Sequence, residues 1–175
     1  IKSIALDYST YKELRKYVSN NVIYTDSNFV SLGASDVHSG VDIIKYRTIG
    51  GKWNNYQEPQ ELKEGWNYPL EIYAIDHVDN KEDPVRKISI YKDTTAPVSL
   101  VNITGPKYEI EGTTYISLSS KIQISVEEKG SGIKCTKYRL NKGEWQEYDV
   151  VAGFSLREEG KYDIEYYSKD NLDNI

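Results

Sequence analysis

Ser39-Gly40-Val41-Asp42-Ile43-Ile44-Lys45-Tyr46-Arg47-Thr48-Ile49-Gly50-Gly51-Lys52-Trp53-Asn54-Asn55-Tyr56 returns, without a gap, as Ser131-Gly132-Ile133-Lys134-Cys135-Thr136-Lys137-Tyr138-Arg139-Leu140-Asn141-Lys142-Gly143-Glu144-Trp145-Gln146-Glu147-Tyr148. The offset is 92 residues, from 39 to 131. Eight of the eighteen aligned positions are identical, where unrelated stretches would share about one. One structural unit has been copied.

The match extends both ways. Upstream, Val30, Leu32 and Ala34 align with Ile122, Ile124 and Val126. Each set alternates with Ser, Gly or Gln, the pattern of a strand with one apolar face. Tyr17 and Tyr24 align with Tyr108 and Tyr115 after a one-residue shift. Downstream, Tyr68, Leu70, Ile72, Ala74, Asp76, Asp79 and Asn80 match Tyr162, Ile164, Tyr166, Ser168, Asp170, Asp173 and Asn174. Each of these segments alternates and then ends in Asp-x-x-Asp-Asn, a strand running into a turn, because Asx side chains bond their own backbone and tolerate positive φ. Residues 48–52 and 140–144 read as hairpin turns, with Gly51 and Gly143 at the φ > 0 position. Trp53 and Trp145, with Tyr56 and Tyr148 three residues later, then lie on the returning segment and read as core or hairpin-packing side chains. Tyr46 and Tyr138 read as core, with hydroxyls at the rim. Lys45, Arg47, Lys137 and Arg139 read as solvated faces.

Composition agrees. The chain has 16 Tyr and no Met, and Tyr, Ile, Val and Thr suit a pleated, half-buried surface. The prediction is all-β: two tandem immunoglobulin-like β-sandwich domains, residues 1–93 and 94–175. Asp93-Thr94-Thr95-Ala96-Pro97 joins them, and Pro97 biases Ala96 to extended backbone. So short a linker predicts a semi-rigid pair. Val85, Ile88, Ile90 and Tyr91 form a last strand in the first repeat, and its counterpart is expected to be missing from the second. A chain opening on Ile1 without a signal peptide reads as a piece of a longer protein, with removal of a signal as the alternative. Thr10-x-x-Glu13 reads as an irregular first strand or loop, with a capped helical turn as the alternative.

The charge balance, 22 Lys plus Arg against 27 Asp plus Glu, gives −5 and argues against nucleic acid. No apolar run approaches the roughly 20 residues of a membrane helix. One cysteine, Cys135, excludes an intrachain disulfide and reads as a small, half-buried hydrophobe. No Gly-x-Ser-x-Gly, His-Glu-x-x-His or phosphate-cradling loop occurs, so no enzyme activity is expected. His38 and His77 read as exposed loop residues.

Two groups are candidates for ligand contact. Asp36, Asp76, Asp79, Asn80 and Asp93 sit in acidic turns. They read either as solvated Asx turns or as oxygen donors for calcium, which takes six to eight oxygens. Trp66, which the second copy replaces with Lys161, stands with Tyr68 beside Glu64-Gly65 as a candidate contact surface.

The pattern resembles the immunoglobulin-like repeats of bacterial surface proteins typified by a leptospiral outer-membrane protein. The residues carrying it are Ser39-Gly40-Val41, Ile44-Lys45-Tyr46, Gly50-Gly51, Trp53 to Tyr56, Glu64-Gly65, Asp76 to Asn80 and Asp93 to Pro97, with a second set from Ser131 to Asn174. Asp79 and Asp173 stand where that family usually has Gly, and Thr136 where it usually has Ile. The resemblance implies an extracellular or cell-surface location, a spacer or adhesive role, and contacts with host matrix or surface proteins, with glycans, or with flanking domains of the same chain. An accessory module of a large secreted hydrolase is the rival expectation.

Overall fold

The computed structural model describes the backbone of residues 2–6 and residues 15–175 in full. Thr10 and Glu13 lie outside the described residues. Every regular element described is a strand, and the chain divides into two compact units, residues 1–94 and 95–175.

Unit 1 contains β1 (Lys2–Leu6), β2 (Lys16–Ser19), β3 (Val22–Thr25), β4 (Phe29–Val30), β5 (Leu32–Ser35), β6 (Val41–Thr48), β7 (Asn54–Asn55), β8 (Gln60–Glu61), β9 (Asn67–Asp76) and β10 (Arg86–Lys92). Six of them form one sheet in the order β2-β3-β10-β9-β6-β7. All its pairings are antiparallel except β10 on β3, where Ile90 is in register with Ile23 and Tyr91 with Tyr24. Opposite lie the pairs β1-β5 and β4-β8. The core fills the space between the layers. Val30 and Leu32 come from the small sheets, and Leu70, Ile72 and Ile90 from the large one. Leu62 completes the cluster, and Ile44, Tyr46, Tyr56, Tyr68 and Ile88 pack around it. Strict alternation along β9 puts Leu70, Ile72 and Ala74 on this inner face, and each is buried. Leu70 and Ile72 each contribute about 1.5–3 kcal/mol on full burial, and the single methyl of Ala74 less than about 1 kcal/mol.

Unit 2 contains β11 (Val98–Thr104), β12 (Lys107–Ile110), β13 (Thr113–Ile116), β14 (Lys121–Glu127), β15 (Ile133–Leu140), β16 (Gln146–Glu147) and β17 (Ile164–Asp170). Its sheets are β16-β15-β17, β11-β14 and β12-β13. Ile122, Ile124, Tyr148 and Leu172 are its buried apolar side chains. The outer edge of β14 is occupied. The Ile124 N–H donates to the Tyr148 hydroxyl at 2.8 Å, and Ile122 exchanges backbone bonds with Phe154 at 2.8 and 3.0 Å.

The quoted stretches fold alike. β6 runs against β9 with Arg47 opposite Glu71, and β15 runs against β17 with Arg139 opposite Glu165. Both ladders slip between the first and third residues of the strand, Val41/Ile43 and Ile133/Cys135, so the β-bulge also lies at equivalent positions. The tight turns that follow differ from the sequence expectation. Positive φ falls on Gly50 in one unit and on Asn141 and Lys142 in the other, not on Gly51 or Gly143. Those two glycines sit in tight contacts instead. A Cβ on Gly51 would lie 3.1 Å from the Thr48 carbonyl oxygen, and one on Gly143 would lie 3.0 Å from that of Leu140. The same carbonyls accept the glycine N–H groups at 2.8 and 2.9 Å, which explains the close approach.

Candidate functional site

The best-organised polar and aromatic constellation lies on the outward face of the β6-β9 and β15-β17 pairs. In unit 1 the Trp53 ring meets Tyr73 edge-on at 4.6 Å, and the Arg47 guanidinium lies 4.3 Å above the Trp53 ring. Lys81 sits 4.1 Å over Tyr73. Arg47 also pairs with Glu71 at 2.6 Å, and Lys87 reaches the other Glu71 oxygen at 3.0 Å. Lys87 and then Arg47 hold the Glu71 carboxyl below its usual range. Unit 2 repeats the arrangement. Trp145 meets Tyr167 edge-on at 4.8 Å, Arg139 lies 4.6 Å over Trp145, and Arg139 pairs with Glu165 at 2.6 Å. Lys137 pairs with Glu147 at 2.8 Å, which raises the lysine pKa. Arg47 and Arg139 are therefore not simply solvated, as the alternation suggested. Each is held by a carboxylate and an aromatic face at once, an arrangement suited to a planar guanidinium.

Tyr46 and Tyr138 point the other way. Their hydroxyls donate to Gln60 and Gln146 at 3.0 and 3.1 Å, and their rings meet Tyr56 and Tyr148 edge-on at 6.3 and 6.2 Å. Tyr138 also stacks on Phe154 at 4.2 Å. These aromatic side chains pack on one another, and the matched pairs reproduce the contact in each unit.

The acidic turns are hydrogen-bond hubs. Asp76 Oδ1 accepts the N–H groups of Val78 and Asn80 at 3.0 and 2.8 Å, and Oδ2 accepts the Asn80 amide and the Ser39 hydroxyl, both at 2.8 Å. Burial alone would raise the Asp76 pKa, but the donors from Asn80, Ser39 and Val78 outweigh it and bring it down to about 2. Asp36 accepts the Ser39 N–H at 2.9 Å and shares the single Ser39 hydroxyl proton with Asp76, from 3.0 Å. Burial opposes those bonds there too, and the net pKa is lowered. Asp79 occupies the left-handed position of the turn, φ 63°, and Asp173 does the same at 64°. Asp170 accepts Leu172, Asn174 backbone and Asn174 amide N–H groups at 2.8, 2.8 and 2.7 Å. Asp93 is fully buried, and its N–H donates to the Thr25 carbonyl at 2.9 Å. The structure thus joins Asp36, Asp76 and Asn80 through Ser39. Among the described residues no three of Asp36, Asp76, Asp79 and Asp93 bring carboxylate oxygens within 4.8 Å of one another.

Trp66 is 60% exposed and lies 6.5 Å from Tyr68, with Lys63 5.7 Å over its ring. Tyr68 belongs to the core surround, and its hydroxyl accepts the Lys63 N–H at 2.7 Å. Of the two, Trp66 alone offers an open ring. Neighbouring Glu64 accepts both the Thr94 N–H and hydroxyl, at 2.9 and 2.8 Å, and the Gly65 N–H donates to Lys92. This clamp gives Glu64-Gly65 a structural task. His77 lies 3.5 Å from Asp42 at the surface, and Cys135 is half-buried beside the β15 bulge. Among the described residues no helix is long and apolar enough to cross a membrane. No protein-family model matches the chain, and no curated protein matches it significantly.

Proposed function

We propose that the chain comprises two immunoglobulin-like β-sandwich modules of a bacterial cell-surface or secreted protein, and that they act as spacer and adhesion units without chemistry of their own. One observation carries this reading. The side chains common to both units, Arg47, Trp53, Asp76 and Asn80 in one and Arg139, Trp145, Asp170 and Asn174 in the other, hold neighbouring strands and turns. Residues kept for chemistry would instead aim a nucleophile, base and orienting group at a shared point. A module built this way offers partners its loops and outward strand residues. The expected partners are host matrix or surface proteins.

A second reading rests on the open Trp66 ring with Lys63 above it. A flat exposed aromatic suits the apolar face of a sugar, as in a carbohydrate-binding accessory module of a secreted hydrolase. Surface plasmon resonance against immobilised matrix proteins, run beside a glycan array, separates the two. Saturable binding to a matrix protein supports adhesion. Glycan binding that is lost in Trp66→Ala favours the accessory module. Turnover of an ester, peptide or glycoside substrate by the purified chain would sink both.

A further inference from the structure

We propose that the outward face of the large sheet in unit 1 is a docking surface for an acidic polysaccharide, held by the cations Lys45, Arg47, Lys81 and Lys87. The surface uses neither a matrix-protein contact nor Trp66, so it stands apart from both readings above.

Strand register sets the face. Ile44, Tyr46, Leu70, Ile72 and Ile90 turn into the core, so the residues alternating with them point outward. Two rows of these run across the sheet. In one, Asn55, Lys45 and Tyr73 are cross-strand neighbours on β7, β6 and β9, and Lys81 lies 4.1 Å over the Tyr73 ring. In the next, Arg47, Glu71 and Lys87 are neighbours on β6, β9 and β10. Such rows lie about 6.7 Å apart along a strand, and neighbouring strands about 4.8 Å apart. Among the described residues, four cations thus share one small patch with a single carboxylate, Glu71. The chain as a whole carries a net charge of −5, so composition does not account for this local excess.

The cations are held in place without being neutralised. Arg47 and Lys87 both reach Glu71, at 2.6 and 3.0 Å, yet one carboxylate offsets the charge of only one of them. The Lys87 side chain stays 67% exposed. Arg47 rests on Trp53 and Lys81 on Tyr73, so their charged groups are positioned before any ligand arrives. Among the described residues, neither Lys45 nor Lys81 has a carboxylate partner. Unit 2 carries a balanced version of the same place. Lys137 stands for Lys45 and Glu147 for Asn55, and the two pair at 2.8 Å.

An acidic polysaccharide offers carboxylate or sulfate groups together with many hydroxyls. Arg47 and the lysines suit the acids. The neutral outward positions suit the hydroxyls: Asn55 on one side, and on the other Ser89 with the Tyr24–Tyr91 pair, whose rings lie 5.6 Å apart. Nucleic acid fits less well. Arg47 and Lys81 cover Trp53 and Tyr73, so those rings are not open to stack a base. A sheet face also presents no helix or two-stranded ribbon to enter a groove.

The test is surface plasmon resonance of the intact chain over immobilised heparin, hyaluronan and neutral dextran. The expected result is saturable binding to heparin or hyaluronan that fades as salt rises, with none to dextran. Lys45→Ala combined with Lys87→Ala should weaken it at least about tenfold. Lys107→Ala combined with Lys161→Ala removes the same charge from unit 2 and should leave it unchanged. Asn55→Glu, which carries the unit 2 residue into unit 1, should weaken it several-fold with no loss of melting temperature. Trp66→Ala should leave it unchanged, so failure here and failure of the stacked-sugar reading are seen in different variants. Absence of binding to both acidic polymers overturns the proposal. So does an equal loss in the two lysine pairs, or equally tight binding to a DNA oligonucleotide of matched charge.

Discussion

Asp76 shows what a turn asks of a single side chain. Its two oxygens receive four donors, so the carboxylate must stay ionised. With a folded pKa of about 2 against an ordinary 3.8, its contribution is complete above the ordinary value and disappears as pH falls through 2. Asp76→Asn should therefore lower the melting temperature at pH 7 by about 5 °C or more, a gap that closes between pH 4 and pH 2 in parallel melts. The Asp-x-x-Asp-Asn spelling was enough to locate this turn, because Asx chemistry is local. The glycine beside Trp was misjudged for a physical reason. Sequence shows that a turn needs glycine, but a positive φ and a crowded Cβ leave the same letter. Gly143→Ala should cost about 1 kcal/mol in denaturant unfolding, from contact with the Leu140 carbonyl and not from φ.

Elements here are held from both faces. Period-two alternation identified the inner residues of β9 and β14, because apolar and polar letters take turns along them. It failed on the outer face, where Arg47 lies over Trp53 and Trp53 packs on Tyr73. Alternation assigns residues to a face and cannot say that an aromatic face is outside. A Trp with Arg six residues before it, on the preceding strand of a hairpin, was the available signal. Trp53→Ala should cost about 2 kcal/mol even though the ring lies outside the core, because it uncovers Tyr73 and removes the aromatic one of Arg47's two partners. The edge of β14 makes a sharper case. Tyr148→Phe removes one oxygen and leaves the buried Ile124 N–H without its acceptor, so about 1–3 kcal/mol should be lost by denaturant unfolding with packing unchanged.

At the scale of the molecule, the two units differ more than their shared sequence suggests. Unit 1 closes its core with Ile90 from β10, while unit 2 has an open pocket lined by Tyr138, Gln146, Phe154, Arg157 and Tyr162. Repetition in the sequence pointed to the shared ladders, bulges and turns, since these rest on matched residues. It carried no information about the size of a void, which depends on how neighbouring elements settle. Differential scanning calorimetry should resolve two transitions, the lower from unit 2, separated by several degrees.

The thiol of Cys135, half-buried beside the β15 bulge, gives the molecule a clock. The chain has no other cysteine, so a maleimide in excess can mark it at one place only. Its rate of capture reports how open that stretch is to solvent, and does so for one module while the other stays silent.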